Sequence, residues 1–255
     1  RKADSQSPRK PVRAKLDVPH PAPEHWREVY DAIKEMRSKF VAPVDTMGCA
    51  LAQQHETDPK APLSLNNKRL ITLVSLMLSS QTKDEITFAA VLKLREAVGG
   101  TLSLDALLAA DNAIISGAIN KCGFWQRKTD YIKRTAQALR ERFDSDVPNT
   151  IDDLCSLPGV GEKMGFLCLQ EAWGISTGIG VDVHVDRITN RLGWHKPSTL
   201  GKPEKTRLNL ESWLPPELHS EINPLLVGFG QVVCKPQRPA CNQCTLSTGG
   251  LCPSA

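Results

Sequence analysis

The amino-acid sequence predicts an all-α fold, and three observations carry that expectation. Apolar residues recur at three- and four-residue spacing along most of the chain, the period of one helix face. Ser, Thr and Asp stand repeatedly just ahead of those segments, where a side-chain oxygen can cap a helix N-terminus. Alternating strand-like runs are almost absent; residues 181–188 alternate Val but carry polar residues that suit a helix start better.

At 255 residues, 40% hydrophobic and 24% charged, the chain can bury one large core or two modest ones. No apolar run approaches the ~18 residues a membrane span needs, so no membrane partner is expected. The chain begins at Arg1 rather than Met, which reads as a fragment.

Residues 1–23 are rich in Pro, Lys, Arg and Ser and lack apolar periodicity. A disordered basic tail is expected there, either a solubilising leader or a targeting or DNA-tethering arm. Net charge is +4, with residues 1–16 carrying +5 and the remainder −1. Any nucleic-acid footprint on the folded body must therefore be a local basic face.

Helical periodicity starts at His25, with Trp26, Val29, Tyr30, Ile33 and Met36 on one face. Residues 41–65 read as a long irregular connection. Residues 66–80 are apolar on nearly every side, from Leu70 to Leu78, as in a centrally buried helix. Thr82 with Glu85 three residues on reads as a capping box opening the next helix. Ser103, Asp111 and Thr150 are candidate N-caps, and Tyr131, Ile132, Thr135, Ala136 and Leu139 trace a further amphipathic face.

Leu157-Pro158-Gly159-Val160-Gly161 lies between two helical segments. Two glycines spaced by one residue allow a sharp turn and close approach to another molecule. Gly161 opens a helix, whose free N–H groups and positive dipole end suit a phosphate oxygen. The five residues fit a DNA-backbone clamp or an ordinary turn between helices.

Lys163 follows in the first turn of that helix. A neutral amine is what attack on a sugar C1′ requires, and the product is a Schiff base; a surface lysine or a phosphate contact is the plainer alternative. Asp182, nineteen residues on, can cap a helix, or accept protons and stabilise a cationic sugar beside the amine. His184 and Asp186 fit surface or capping roles as readily as catalysis.

Cys234, Cys241, Cys244 and Cys252 crowd the C-terminus as C-x6-C-x2-C-x7-C. Four thiolates in that span suit tetrahedral zinc, the commoner answer from spacing, or a cubane iron–sulfur cluster, with redox thiols a third option. Lys235 and Arg238 sit within this run and can present cations to phosphate.

Taken together, LMLSSQTKD (76–84), CGFWQRK (122–128), LPGVGEK (157–163), VDVHVDR (181–187), LLVGFGQ (225–231) and the cysteine quartet resemble the endonuclease III family of helix-hairpin-helix DNA glycosylases, its eukaryotic branch in particular. The resemblance runs from about Trp26 to Cys252. It implies two helical domains with DNA held between them: a six-helix barrel over 66–181, and a discontinuous cluster domain of 24–65 with 182–255. It also implies a [4Fe–4S] cluster in place of zinc, and duplex DNA bearing an oxidised pyrimidine or an abasic site as substrate for a monomer of the nucleus or mitochondrion.

The same resemblance makes Lys163 the nucleophile and Asp182 the catalytic aspartate of a glycosylase with lyase activity. It makes Gln81 and Phe124 the side chains that enter the duplex, filling the gap left by an extruded nucleotide; core packing with Trp125 is the alternative for Phe124. Gly159, Val160 and Gly161 would hold the backbone. The final cysteine spacing is longer than the family's, with the extra residues expected near Gly249-Gly250. An adenine-specific relative would carry a Glu on the helix before Gln81, and residues 66–80 contain neither Asp nor Glu. A non-catalytic DNA-binding or redox-sensing module is the other alternative, opposed by the presence of both Lys163 and Asp182.

Overall fold

A computed structural model of the protein describes residue 16, residues 18–51 and residues 63–255. The described residues contain helices and no strand. Most of the expected tail lies outside them. Within its described end, the His20 backbone N–H donates to Ser212 Oγ at 2.9 Å, which ties the segment before the first helix to the C-terminal half.

Helix α1 (Trp26–Arg37) buries Val29, Tyr30, Ile33 and Met36, the face read from the sequence. The stretch read as an irregular connection instead contains α2 (Pro43–Met47) and a 3-10 turn (Cys49–Leu51). Pro43 opens α2, and Asp45 Oδ2 accepts the Ala42 N–H at 2.7 Å, so a proline and one acidic cap suffice to start a short helix there. Residues 52–62 lie outside the described set.

Next comes α3 (Leu65–Ser79), whose residues Leu70 through Leu78 are all buried. Each such Leu or Ile contributes about 1.5–3 kcal/mol by leaving water, which makes α3 the spine of the first core. Helix α4 (Asp84–Ala97) is not capped by Thr82; Lys83 holds the cap position without a side-chain bond. Three helices follow, α5 (Leu104–Ala109), α6 (Asn112–Ile119) and α7 (Trp125–Arg142). Ser103 caps α5 by accepting the Ala106 N–H, whereas Asp111 precedes α6 without a capping bond. Thr150 caps α8 (Ile151–Ser156), and Gly161 precedes α9 (Glu162–Trp173).

Beyond α9 the chain folds onto a second core. It comprises α10 (Val183–Arg191), α11 (Pro203–Trp213), α12 (Ile222–Val232) and α13 (Thr245–Thr248). Helix α1 joins them: Ile33 packs in one cluster with Ile179, Val185, Leu210, Leu226 and Leu246. The first cluster runs from Leu70 to Leu169 and contains α3 through α9. Ile179 and Val181 already belong to the second.

Polar contacts stitch the two cores. Gln231 on α12 donates to Asp84 Oδ2 at the start of α4 (2.7 Å) and accepts the Val44 N–H (3.0 Å). Gln170 on α9 donates to the Ser220 carbonyl at 2.9 Å.

Candidate active site

A cleft of about 870 Å³ opens between the two cores, and Gln81, Lys163 and Asp182 all line it. Lys163 is the second residue of α9 and is exposed at the cleft wall. Asp182 belongs to the second core, as N-cap of α10. Its Oδ1 accepts the backbone N–H groups of His184 and Val185, both at 2.9 Å, so two backbone donors orient its carboxylate at the cleft wall.

His184 joins them on the lining, with the acidic residues Asp45, Asp84, Glu171 and Asp186. Burial lowers the His184 imidazole below its usual range, partly offset by the Asp182 carboxylate and reinforced by Arg187. Arg187 Nη2 lies 3.2 Å from His184 Nδ1. Burial raises Asp84, against the hydrogen bond from Gln231, and it raises Glu171 on the same cleft. The cleft therefore holds one exposed amine among partly desolvated acids, a setting for proton transfer.

Gln81 and Phe124 share an unusual backbone. Their φ values are 50° and 55°, left-handed conformations uncommon for residues other than glycine. Gln81 is exposed. Phe124 is 58% exposed, while Trp125 packs against the first core. The ring is thus presented outward.

In the hairpin, Gly159 has φ 78° and is exposed, whereas the Val160 side chain is buried in the first core. The Val160 N–H turns back to the Leu157 carbonyl at 3.2 Å. Gly161 has open space around the position of a Cβ and leads directly into α9 and Lys163. What the hairpin exposes is glycine backbone, with Val160 anchoring it.

The four C-terminal cysteines line one cavity with Ile188, Phe229 and Leu246. Burial pushes the Cys252 thiol up, and the sulfurs of Cys234, Cys244 and Cys241 oppose its charge further. Helix α13 and Gly250 (φ 69°) absorb the long final spacing, and the Leu251 and Cys252 N–H groups return to the Leu246 carbonyl. Among the described residues no group of three His, Cys, Asp or Glu side chains converges closely enough to hold a single metal ion. Lys235 and Arg238 project from the loop into solvent, and Arg191 holds that loop by donating to the carbonyls of Lys235 (2.7 Å) and Pro236 (2.8 Å).

Sequence reasoning sets His184 aside and passes over Asp84 and Lys128. His184 and Asp84 lie inside the VDVHVDR and LMLSSQTKD motifs, but their burial depends on the apposition of α4, α10 and α12, which no local pattern encodes. No helix among the described residues is long and apolar enough to cross a membrane.

Residues 74–216 match the HhH-GPD superfamily of base excision DNA repair proteins. The chain is 49% identical over 233 residues to the endonuclease III homolog of Schizosaccharomyces pombe, covering 91% of this chain and 63% of that protein. It is 48% identical over 240 residues to endonuclease III-like protein 1 of Bos taurus, covering 94% of this chain and 75% of that one. Its fold matches an endonuclease III trapped with DNA as a covalent intermediate in an estranged-adenine complex. The TM-score is 0.69 at 25% identity, over 89% of this chain and 95% of the other. The chain thus spans just under two thirds of the length of the fission-yeast relative. On this sequence and structural agreement, the chain belongs to the endonuclease III group of the HhH-GPD superfamily of base excision DNA repair proteins.

Proposed function

We propose that the protein is a bifunctional DNA glycosylase and abasic-site lyase that removes oxidised pyrimidines from duplex DNA. The observation that carries this reading is the meeting of Lys163, Asp182 and Gln81 in one cleft, each from a different structural element. The trapped covalent complex of the structural relative supports a covalent route, and Lys163 is the nucleophilic amine that the hairpin helix presents to the cleft.

The Lys163 amine attacks C1′ of the extruded nucleotide, the glycosidic C–N bond breaks, and the base departs with its bonding pair and takes up a proton. Opening of the sugar ring gives an imine at C1′. Removal of a proton from C2′ then expels the 3′ phosphate, and water releases the amine. Asp182, already oriented by two backbone N–H groups, steadies the cationic sugar and relays protons. Gly159 and Gly161 approach the phosphate backbone, Val160 holds the hairpin in place, and Lys235 and Arg238 contact phosphate from the cysteine loop. Gln81 bonds the estranged base and Phe124 wedges between base pairs.

Cys234, Cys241, Cys244 and Cys252 would hold a [4Fe–4S] cluster. The donor set fits: four thiols line one apolar cavity, the ligand number that a cubane cluster takes. Such a cluster would supply structural order to the loop bearing Lys235 and Arg238. We place the enzyme, as a monomer, in the nucleus or mitochondrion, where duplex DNA is repaired.

The test is an oligonucleotide duplex containing thymine glycol. Wild type should release the free base and leave a β-elimination end, and Lys163→Gln should do neither while still binding the duplex. Binding without base release by wild type would favour a non-catalytic DNA-binding module.

A further inference from the structure

Lys128, on α7, is only 5% exposed, and neither base release nor strand cleavage as written uses it. A buried ammonium is strongly destabilising unless its protons find acceptors. Its Nζ donates to the carbonyls of Leu78 (2.6 Å) and Ser80 (2.7 Å) and to Thr82 Oγ1 (3.0 Å). Three donors meet three acceptors.

The acceptors bracket Gln81. Leu78 and Ser80 end α3, and Thr82 begins the following loop, so Gln81 is held from both sides while its own side chain stays exposed. A left-handed φ at such a residue persists only where its neighbours over-determine it. Thr82, expected as a helix cap, serves this network instead.

The same hydroxyl reaches the second loop. Thr82 Oγ1 accepts the Gly123 N–H at 3.1 Å. The two backbones run in contact there, since a Cβ on Gly123 would lie 2.5 Å from the Gln81 carbonyl oxygen. Phe124 follows immediately, also left-handed, at the N-cap of the helix that carries Lys128.

We propose that Lys128 is a positioning residue for nucleotide extrusion: it pins the 80–82 loop and, through Thr82 and Gly123, fixes Gln81 and Phe124 at a set separation for entry into the duplex. The inference rests on the reading of Gln81 and Phe124 as inserted side chains. A plain C-cap for α3 would account for the two carbonyl bonds alone; the bond to Thr82, which itself holds Gly123, extends past the helix end.

The experiment compares Lys128→Met, Thr82→Val and the pair Gln81→Ala/Phe124→Ala in the intact chain, each below its melting temperature. Extrusion is followed by fluorescence of 2-aminopurine placed opposite a thymine glycol. Amine chemistry is followed separately, by borohydride trapping on a single-stranded abasic oligonucleotide that has no base pair to open. Lys128→Met and Thr82→Val should slow extrusion about tenfold or more yet leave single-strand trapping within about twofold, since ~1 Å of misplacement costs up to ~10²-fold. Adding Lys128→Met to the Gln81→Ala/Phe124→Ala pair should slow extrusion no further, because both changes act on one step.

Equal slowing of both assays, or of neither, overturns the positioning role and leaves Lys128 a helix cap. If Lys128→Met does not fold, the same comparison of the two assays on Thr82→Val decides the question. Normal extrusion by the Gln81→Ala/Phe124→Ala pair is a different failure: it removes the inserted-residue reading itself and the inference with it.

Discussion

The ring of Tyr131 fills the space where a side chain on Gly159 would stand. A Cβ at Gly159 would collide with Cδ2 of that ring and lie 2.8 Å from its Cγ. Four residues further along α7, Thr135 Oγ1 donates to the Pro158 carbonyl at 3.2 Å. The hairpin is therefore clamped to the same helix that carries Lys128 and begins beside Phe124.

This clamp predicts different fates for the two hairpin glycines. Gly159→Ala meets the ring and must hold φ near 78°, so it should lose about 2 kcal/mol or more of stability. Gly161→Ala has open space and an ordinary backbone, so it should lose less stability than Gly159→Ala, up to the ~1 kcal/mol that Ala forfeits at an N-cap. Its DNA affinity should still fall, because the added methyl stands where a phosphate would approach. Denaturant unfolding and DNA titration on both variants check the contrast.

Substitution can separate the helix cap that Asp182 supplies from the proton-transfer role proposed for it. Asn caps a helix about as well as Asp, whereas Ala forfeits ~1 kcal/mol. Asp182→Asn should thus unfold like wild type while losing about 10²-fold or more in base release, the usual worth of a placed proton acceptor. Asp182→Ala should lose both. Equal stability losses for Asn and Ala would remove the cap from the account.

How much of the fold is legible in the sequence depends on the distance over which a signal acts. The faces of α1 and α7, the caps at Ser103 and Thr150, and Asp182 at the head of α10 are local patterns, and each stands where periodicity and capping place it. Helix α2 escapes such a reading because five residues carry no periodicity. Thr82 misleads it because Ser/Thr-x-x-Glu is a local rule, and here a buried lysine from α7 competes for the hydroxyl. The site is legible as a set of motifs; the burial of Asp84 and His184 and the exposure of Lys163 require the packing of two cores. Val160 belongs to the hairpin motif, yet only its packing shows that the side chain serves the core.

Glu162, next to Lys163, links the cores through a carboxyl pair. Its carboxyl is pushed up to about 7 by a hydrogen bond with Glu204 and by burial, with Arg207 opposing. At Glu204 burial works against the charge, but hydrogen bonds from Arg207 and Glu162 outweigh it and hold that carboxyl low. A raised carboxyl contributes stability fully below about 4.5 and loses it as pH rises through about 7. Glu162→Gln mimics the protonated form at every pH. Its melting temperature should equal that of wild type near the lower limit and exceed it above the upper one; a constant difference across that window would contradict the shared proton.

If the proposed [4Fe–4S] cluster is held by the quartet, Cys241→Ser should remove iron and its visible absorbance. Because Cys244 and Leu246 are part of the second core, it should also lower the unfolding midpoint, while the far-UV helix signal of the first core persists. Stoichiometric zinc in the purified wild type, with no iron, would overturn the cluster assignment.

The most direct test of the account is to locate the covalent bond itself. Wild-type protein is reduced with borohydride on duplex DNA containing thymine glycol, digested, and the adduct-bearing peptide sequenced by mass spectrometry. The expected result is a deoxyribose remnant on Lys163 and on no other amine. An adduct on another lysine, or release of the base with no trapped species at all, would contradict it.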